Sequence, residues 1–240
     1  MAGRSRQSDA VSIAWDRMDY EAVVFDMDGV LIERSPSWVF DDAAERALRE
    51  AAVEDPTDEE FRAVRTLHGG LDDATAHFRS THEVAFDRLW RRRNELVTAN
   101  QRTAIEDGEK ALYDDAGAAL DLPGARGIVS NNQHAAVETV LDRFDLRDRF
   151  DTWYGLRPGI EDVGAEKPAT RYMERALRDL TADRAVYVGD RSSDVAAAHN
   201  AGIDAAFVRR PFNADADPDP TPEYDVDSLN ELAERLAAGE

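Results

Sequence analysis

Two aspartates one residue apart, Asp26 and Asp28, follow the apolar run Val23-Val24-Phe25 and precede Gly29. An aspartate carboxylate can attack a phosphoryl group and carry it as an acyl phosphate, provided the anionic substrate is neutralised and positioned. Asp26 has the place for that role. Asp28, two residues on in the same direction, can protonate a leaving oxygen and later deprotonate water. Ser130-Asn131 ends a second apolar run with a hydroxyl and backbone N–H donors suited to phosphate oxygens. Lys167-Pro168 keeps an ammonium in a chain whose only lysines are Lys110 and Lys167, which points to a role a planar guanidinium cannot fill, such as touching both nucleophile and phosphate. Asp190 follows the run Ala185 to Gly189, and Asp194 lies four residues on where a helix opens. Such hard oxygen ligands suit Mg²⁺. Without a cation, four close carboxylates repel and raise one another's pKa. Taken singly these groups have plainer readings, as a solvated turn, a helix cap or N-terminal capping; taken together they look like a metal-dependent phosphoryl-transfer site.

Such a site needs strand ends to hold it. Strand signals fall at 22–26, 126–130, 152–155, 185–189 and 205–209, several of them short continuous apolar runs suited to a sheet covered on both faces. Helical patterns lie between the later ones, with Ala136, Val137, Val140, Leu141 and Phe144 after the second strand and Tyr172, Met173, Ala176, Leu177 and Leu180 before the fourth. This β-α-β alternation predicts an α/β fold with a doubly wound parallel sheet. About a hundred residues separate the first two strands, so something is inserted there. The signals from about 36 to 101 are helical: Val39, Ala43, Ala47 and Ala51 recur every four residues, Thr57 to Glu60 can form a capping box, and Phe78, Ala85, Leu89 and Leu96 continue a stripe beyond Gly69-Gly70. We expect a loose arm over 1–19, a core over 20–33 and 108–240, and a helical cap over 34–107 with hinges near 33–35 and 102–108. A last amphipathic helix is expected at about 227–237, after a Pro/Asp loop.

Composition narrows the partners. Of the 240 residues, 50 are acidic and 29 basic, and the net charge of −21 argues against general affinity for nucleic acid or an anionic membrane. An acidic surface with almost no lysine resembles that of proteins from salt-accumulating organisms, where dense salt screens self-repulsion. The absence of cysteine excludes disulfide and thiolate chemistry. Neither a signal-peptide core nor a membrane-spanning stretch is apparent, so a cytoplasmic protein is the expectation. No apolar stripe marks a subunit interface.

The order Asp26-Met-Asp28-Gly29-Val-Leu, Ser130-Asn131, Lys167-Pro168, Gly189-Asp190-Arg-Ser-Ser-Asp194 resembles the haloacid dehalogenase-like hydrolase superfamily, in particular its phosphoglycolate phosphatase-like members with a helical cap. The resemblance covers about residues 21 to 210 and implies a Rossmann-like core. It further implies Asp26 as nucleophile and Asp28 as general acid/base, with Gly29, Ser130, Asn131 and Lys167 around the phosphoryl group. Mg²⁺ would be held by Asp26, the main-chain carbonyl of Asp28 and Asp190, with Asp194 close by. The implied activity is hydrolysis of a small phosphorylated metabolite, such as phosphoglycolate or a sugar phosphate, through an aspartyl-phosphate. The alternatives are a phosphomutase, which passes the phosphoryl group to a sugar hydroxyl, and a non-catalytic phospho-accepting domain of the signalling type. Related mutases carry a histidine in the first cap segment, and residues 29–67 contain none. The family's dehalogenases lack the second aspartate, which is present here. Arg79, Arg88 and Arg91 to Arg93 are candidates to bind a substrate carboxylate, Gly69-Gly70 is a candidate loop reaching the site, and His199 is expected on a helix surface.

Overall fold

Strand β1 (Ala22–Phe25) is buried at every position, as a strand covered on both faces must be. The computed structural model describes residues 19–239, so the arm expected over 1–19 lies, except for Asp19, outside the described residues. Five more strands join β1: β2 (Ala125–Gln133), β3 (Thr152–Leu156), β4 (Ala185–Gly189), β5 (Asp204–Val208) and β6 (Tyr224–Val226). All pairings are parallel and the order is β3-β2-β1-β4-β5-β6. Side chains alternate between the faces with the strand period of two. Val23, Phe25, Ile128, Val186 and Val188 enter one apolar cluster; Val24, Val129, Tyr187 and Phe207 enter the other. The chain runs outward from β1 to β3, returns to β4 and runs outward again. The winding therefore reverses beside β1, which is where an open α/β sheet leaves a crevice at its strand ends. The expected doubly wound α/β fold is observed; β6, only three residues long, went unanticipated.

Nine α-helices occur among the described residues. Between β1 and β2 lie α1 (Trp38–Glu50), α2 (Asp58–Thr66), α3 (Leu71–His82), α4 (Phe86–Glu106) and the short α5 (Ala116–Leu120). The core helices are α6 (His134–Arg143), α7 (Arg171–Leu180), α8 (Ser192–Asn200) and α9 (Leu229–Ala238). Helices α1 to α4 enclose an apolar cluster of their own, including Val39, Ala47, Val64, Phe78, Phe86 and Leu96. The capping box of α2 is present: Glu60 N–H donates to Thr57 Oγ1 (3.2 Å), while Glu60 Oε2 accepts from Thr57 N–H (2.7 Å). Gly70 is the N-cap of α3 at φ +92°, so the glycine pair does punctuate the helices. Helix α4 continues through Glu106, so most of the segment expected as a second hinge at 102–108 is helical. No helix among the described residues is long and apolar enough to cross a membrane.

Candidate active site

Asp26 stands one residue beyond β1, its N–H donating to Val188 O on β4 (2.8 Å). The chain then turns tightly, with Leu31 and Ile32 N–H both donating to Met27 O (3.0 and 3.1 Å), which brings Asp28 back to the same cleft. Gly29 occupies this turn at φ +85°, and a Cβ there would come within 2.4 Å of Asp190 Oδ2. Glycine is therefore required both by the backbone conformation and by the close approach of Asp190. Expected to meet substrate, Gly29 instead packs against a carboxylate.

Ser130 and Asn131 reach the cleft because β2 is irregular there. Val129 pairs with Tyr154 and Gln133 with Leu156, so Ser130, Asn131 and Asn132 together face Gly155 alone. Extra residues in one strand leave the ladder and re-aim their side chains. A Cβ at Gly155 would sit 2.7 Å from Asn132 O, so the irregularity also depends on a glycine opposite.

Lys167 is buried and its ammonium lies 2.9 Å from Asp26 Oδ2 and 2.7 Å from Asp194 Oδ1. It also donates to Tyr187 Oη (2.6 Å), whose hydroxyl in turn donates to Val129 O (2.6 Å). Asn131 positions this lysine: its Oδ1 accepts from Lys167 N–H (2.8 Å). Asp194 is committed to such positioning, since its other oxygen accepts from the N–H groups of Asp190 (3.1 Å) and Arg191 (3.0 Å).

Asp190 is the exception in this network. Its side chain is buried and neither carboxylate oxygen accepts a hydrogen bond; Arg191 Nε stands 3.9 Å away. Burial first, and then the charges of Asp26 and Asp194, push its pKa up to about 7. Burial likewise pushes Asp26 upward despite the opposing charge of Lys167. Asp26, Asp190 and Asp194 each bring an oxygen within 4.8 Å of the others, against the buried charge of Lys167 and the more distant, solvent-exposed charge of Arg191. Three carboxylates facing these two cations keep an excess of negative charge, and a buried carboxylate that accepts no hydrogen bond is costly. An oxygen-bound divalent cation removes both penalties, so these residues fit Mg²⁺.

Sequence reasoning missed the environment of Asp28. Lys110, fully buried, donates from Nζ to Asp28 Oδ1, Gln101 Oε1 (2.8 Å) and Ser35 Oγ (2.9 Å). Asp28 Oδ2 accepts from Asn132 Nδ2 (2.9 Å), and Asn132 and Gln101 exchange two amide hydrogen bonds of 2.7 Å. Both lysines of the chain thus stand at this site, one on each aspartate; the rarity that singled out Lys167 marked Lys110 equally.

Helices α1 and α4 close over the strand ends to leave a cleft of ≈ 240 Å³, lined among others by Arg34, Phe40, Arg93 and Arg191. Of the candidate arginines only Arg93 lines this cleft. Arg92 pairs with Glu50 (2.6 Å) and Arg91 with Glu161 (3.7 Å). Arg93 is buried, donates to Asn94 Oδ1 (2.7 Å) and to Arg65 O, has no carboxylate partner among the described residues and leaves Nε unbonded. Burial and the nearby charge of Arg65 bring its pKa down to about 10. Gly69 lines a different cleft between α2 and α3, so that pair does not reach the site. His199 meets Glu223 at the surface (3.0 Å).

The model of the haloacid dehalogenase-like hydrolase family matches residues 23–208. A phosphoglycolate phosphatase from Cereibacter sphaeroides is 26% identical over 196 residues, 75% of this chain and 81% of that protein. The crystal structure of CbbY from Rhodobacter sphaeroides with phosphate superimposes with a TM-score of 0.62 at 23% identity, covering 89% of this chain and 96% of that one. A mutant of CbbY with xylulose-(1,5)bisphosphate gives the same TM-score and coverage at 22% identity. With a family model matching most of its length and the paired aspartates at the end of β1, this chain belongs to the haloacid dehalogenase-like hydrolase family.

Proposed function

We propose that the protein is a Mg²⁺-dependent phosphatase acting on a small phosphorylated metabolite through an aspartyl-phosphate on Asp26. The observation that carries this reading is the convergence of Asp26, Lys167 and a buried Asp190 whose oxygens accept no hydrogen bond. Asp26 attacks phosphorus with a carboxylate oxygen, and the bond to the leaving oxygen breaks as that oxygen takes a proton from Asp28. Water then attacks the acyl phosphate and gives its proton to Asp28, which returns Asp26 and releases phosphate. Lys167 and Ser130 hold the phosphoryl oxygens, and Asn131 keeps Lys167 in place. When bound by Asp26, Asp190 and the Asp28 carbonyl, Mg²⁺ supplies charge neutralisation for the phosphoryl oxygens.

Arg93 supports a substrate with a second anionic group. A buried guanidinium that lines the cleft without a carboxylate partner among the described residues is stabilised by a carboxylate or phosphate at the far end of the ligand. Phosphoglycolate and sugar bisphosphates, the compounds in the names of the relatives, have that form. The helices over the cleft favour turnover of a small molecule above the signalling-type alternative, because closure excludes bulk water.

The test is phosphate release from phosphoglycolate, sugar mono- and bisphosphates, nucleoside monophosphates and p-nitrophenyl phosphate, with Mg²⁺ or EDTA. Release that needs Mg²⁺, disappears in a folded Asp26→Asn variant and favours doubly anionic substrates is expected. A folded wild type that releases nothing from the panel would refute the proposal.

A further inference from the structure

Outside the cleft that holds Asp26, three side chains on α2 and α3 meet in an arrangement that the proposed phosphatase chemistry does not use. Glu60 Oε1 lies 2.7 Å from His77 Nε2 and 2.5 Å from His82 Nε2. Glu60 is 5% exposed, while His77 is open to solvent and His82 is partly buried. The two ring nitrogens and a carboxylate oxygen all fall within 4.8 Å of one another. Three of the five histidines of the chain gather here, since His68 lines the same cleft as Glu60 and His77, together with Asp73.

We propose that Glu60, His77 and His82 form a binding site for a divalent transition metal, Zn²⁺ being the best fit, that ties α2 to α3. Imidazole nitrogen and one carboxylate oxygen make a donor set for zinc-like ions and a poor one for Mg²⁺, which takes oxygen ligands. Three protein ligands leave a fourth tetrahedral position, and the exposure of His77 keeps it reachable by water or by His68. Tetrahedral zinc at about 2.0–2.2 Å from each donor needs those donors about 3.3 Å apart. The present spacings widen to that by small ring movements, easiest at the exposed His77. The carboxylate is already aimed: Glu60 Oε2 accepts from Thr57 N–H (2.7 Å) and Thr57 Oγ1 (2.9 Å), leaving Oε1 to face the imidazoles. Groups behind a metal ligand commonly fix it in this way. A carboxylate oxygen can accept from two imidazole N–H groups, so a metal-free hydrogen-bonded staple is the rival arrangement, and metal titration separates the two.

Calorimetric titration of Zn²⁺ into the full-length protein, with Mg²⁺ saturating the catalytic carboxylates, decides the matter. One equivalent is expected to bind, with affinity reduced about 100-fold or more in His77→Gln and in His82→Gln and unchanged in Asp190→Asn. Glutamine keeps a donor for Glu60 Oε1 but ligates zinc weakly, so these variants retain the helix contact while losing the metal. Co²⁺ should give a visible tetrahedral ligand-field band in the wild type that both glutamine variants lose. Equal Zn²⁺ binding in the wild type and both glutamine variants, binding that vanishes in Asp190→Asn, or no binding at all would each overturn the proposal.

Discussion

Lys110 shows how a residue outside the bond-breaking step can govern it. Its ammonium, buried among Asp28, Ser35 and Gln101, fixes one oxygen of Asp28, the proposed general acid/base, and Asn132 fixes the other. Replacing it in Lys110→Met keeps most of the side-chain volume and frees Asp28 to rotate. Misplaced acid catalysis costs most where the leaving oxygen is basic, so kcat/KM, which reports the step that expels the leaving group, should fall on an alkyl phosphate by about 10²-fold, the low end of a general acid's contribution. The fall on p-nitrophenyl phosphate, whose leaving group departs without a proton, should be much smaller. Equal losses of kcat/KM on both substrates with Mg²⁺ saturating would mean that Lys110 acts on the nucleophile or the fold. Asp190 gives a second prediction. Burial and its acidic neighbours raise its pKa to about 7, so below that pH a proton occupies the place proposed for the cation. Apparent Mg²⁺ affinity should weaken as pH falls through about 7, with more protons released per Mg²⁺ at pH 6 than at pH 8. Without metal, the folded form holds a proton that the unfolded chain has already lost, so stability should decline as pH rises from about 4 to 7. Calorimetry in buffers of different ionisation enthalpy measures the proton count. Asp26, Ser130 and Asp190 were legible in the sequence from local pattern at strand ends, and Lys167 from the rarity of lysine. Gln101, Lys110 and Asn132 were not, because they meet Asp28 across long stretches of chain that no local spacing encodes.

Among the elements, the segment from β3 to α7 has the most exacting task, since it delivers Lys167 between two aspartates without regular structure of its own beyond one short 3-10 turn. Asp162, in that turn, organises it. Its Oδ2 accepts from Arg157 N–H (2.7 Å) and from the Tyr172 hydroxyl, and its Oδ1 from Arg157 Nη2 (2.7 Å) and Arg171 Nη1 (3.0 Å). Burial alone would raise its pKa, but the hydrogen bonds from Arg157 and Tyr172 and the Arg157 charge outweigh it and hold Asp162 at about 2. A depressed carboxylate contributes stability that is present above its ordinary value and lost as pH falls toward the folded one. The wild type should therefore lose this contribution between about pH 4 and pH 2. In Asp162→Asn that dependence should be absent, so the stability gap between the proteins should be wide at pH 7 and narrow near pH 2.5 in urea unfolding. Arg157 and Arg171 are 57% and 56% exposed, so solvent screens part of the gap. A gap independent of pH would show that packing, not charge, holds the segment. The elements read most clearly from sequence were those whose apolar period is long or whose caps are strong, as with α1 and the Thr57–Glu60 box of α2. Two escaped that reading: β6, with too few residues to show a period, and the irregularity in β2, which is defined only by its register against β3.

At the scale of the whole molecule, a net charge of −21 sets long-range repulsion against many short-range ion pairs, and salt acts on both. Pairs such as Arg92–Glu50 and Arg147–Asp142 have both side chains more than 40% exposed, and a pair of that kind contributes about 0–1 kcal/mol. Asp26–Lys167 and Asp115–Arg210 have side chains at most 11% exposed, so salt screens them much less. The repulsion is different in kind: it sums over all like charges at distances beyond a single contact, and the screening length shortens from about 10 Å at 0.1 M to about 3 Å at 1 M. Salt therefore removes more repulsion than attraction from a chain so unbalanced, while the buried pairs that fix the catalytic cleft are left intact. The melting temperature should rise steadily between 0.1 M and molar KCl, and phosphatase activity should persist across that range rather than fall with surface pairing. NaCl should act like KCl, because screening depends on ionic strength. A flat or falling melting temperature in both salts would show that exposed ion pairs, not relief of self-repulsion, dominate the stability of this acidic fold.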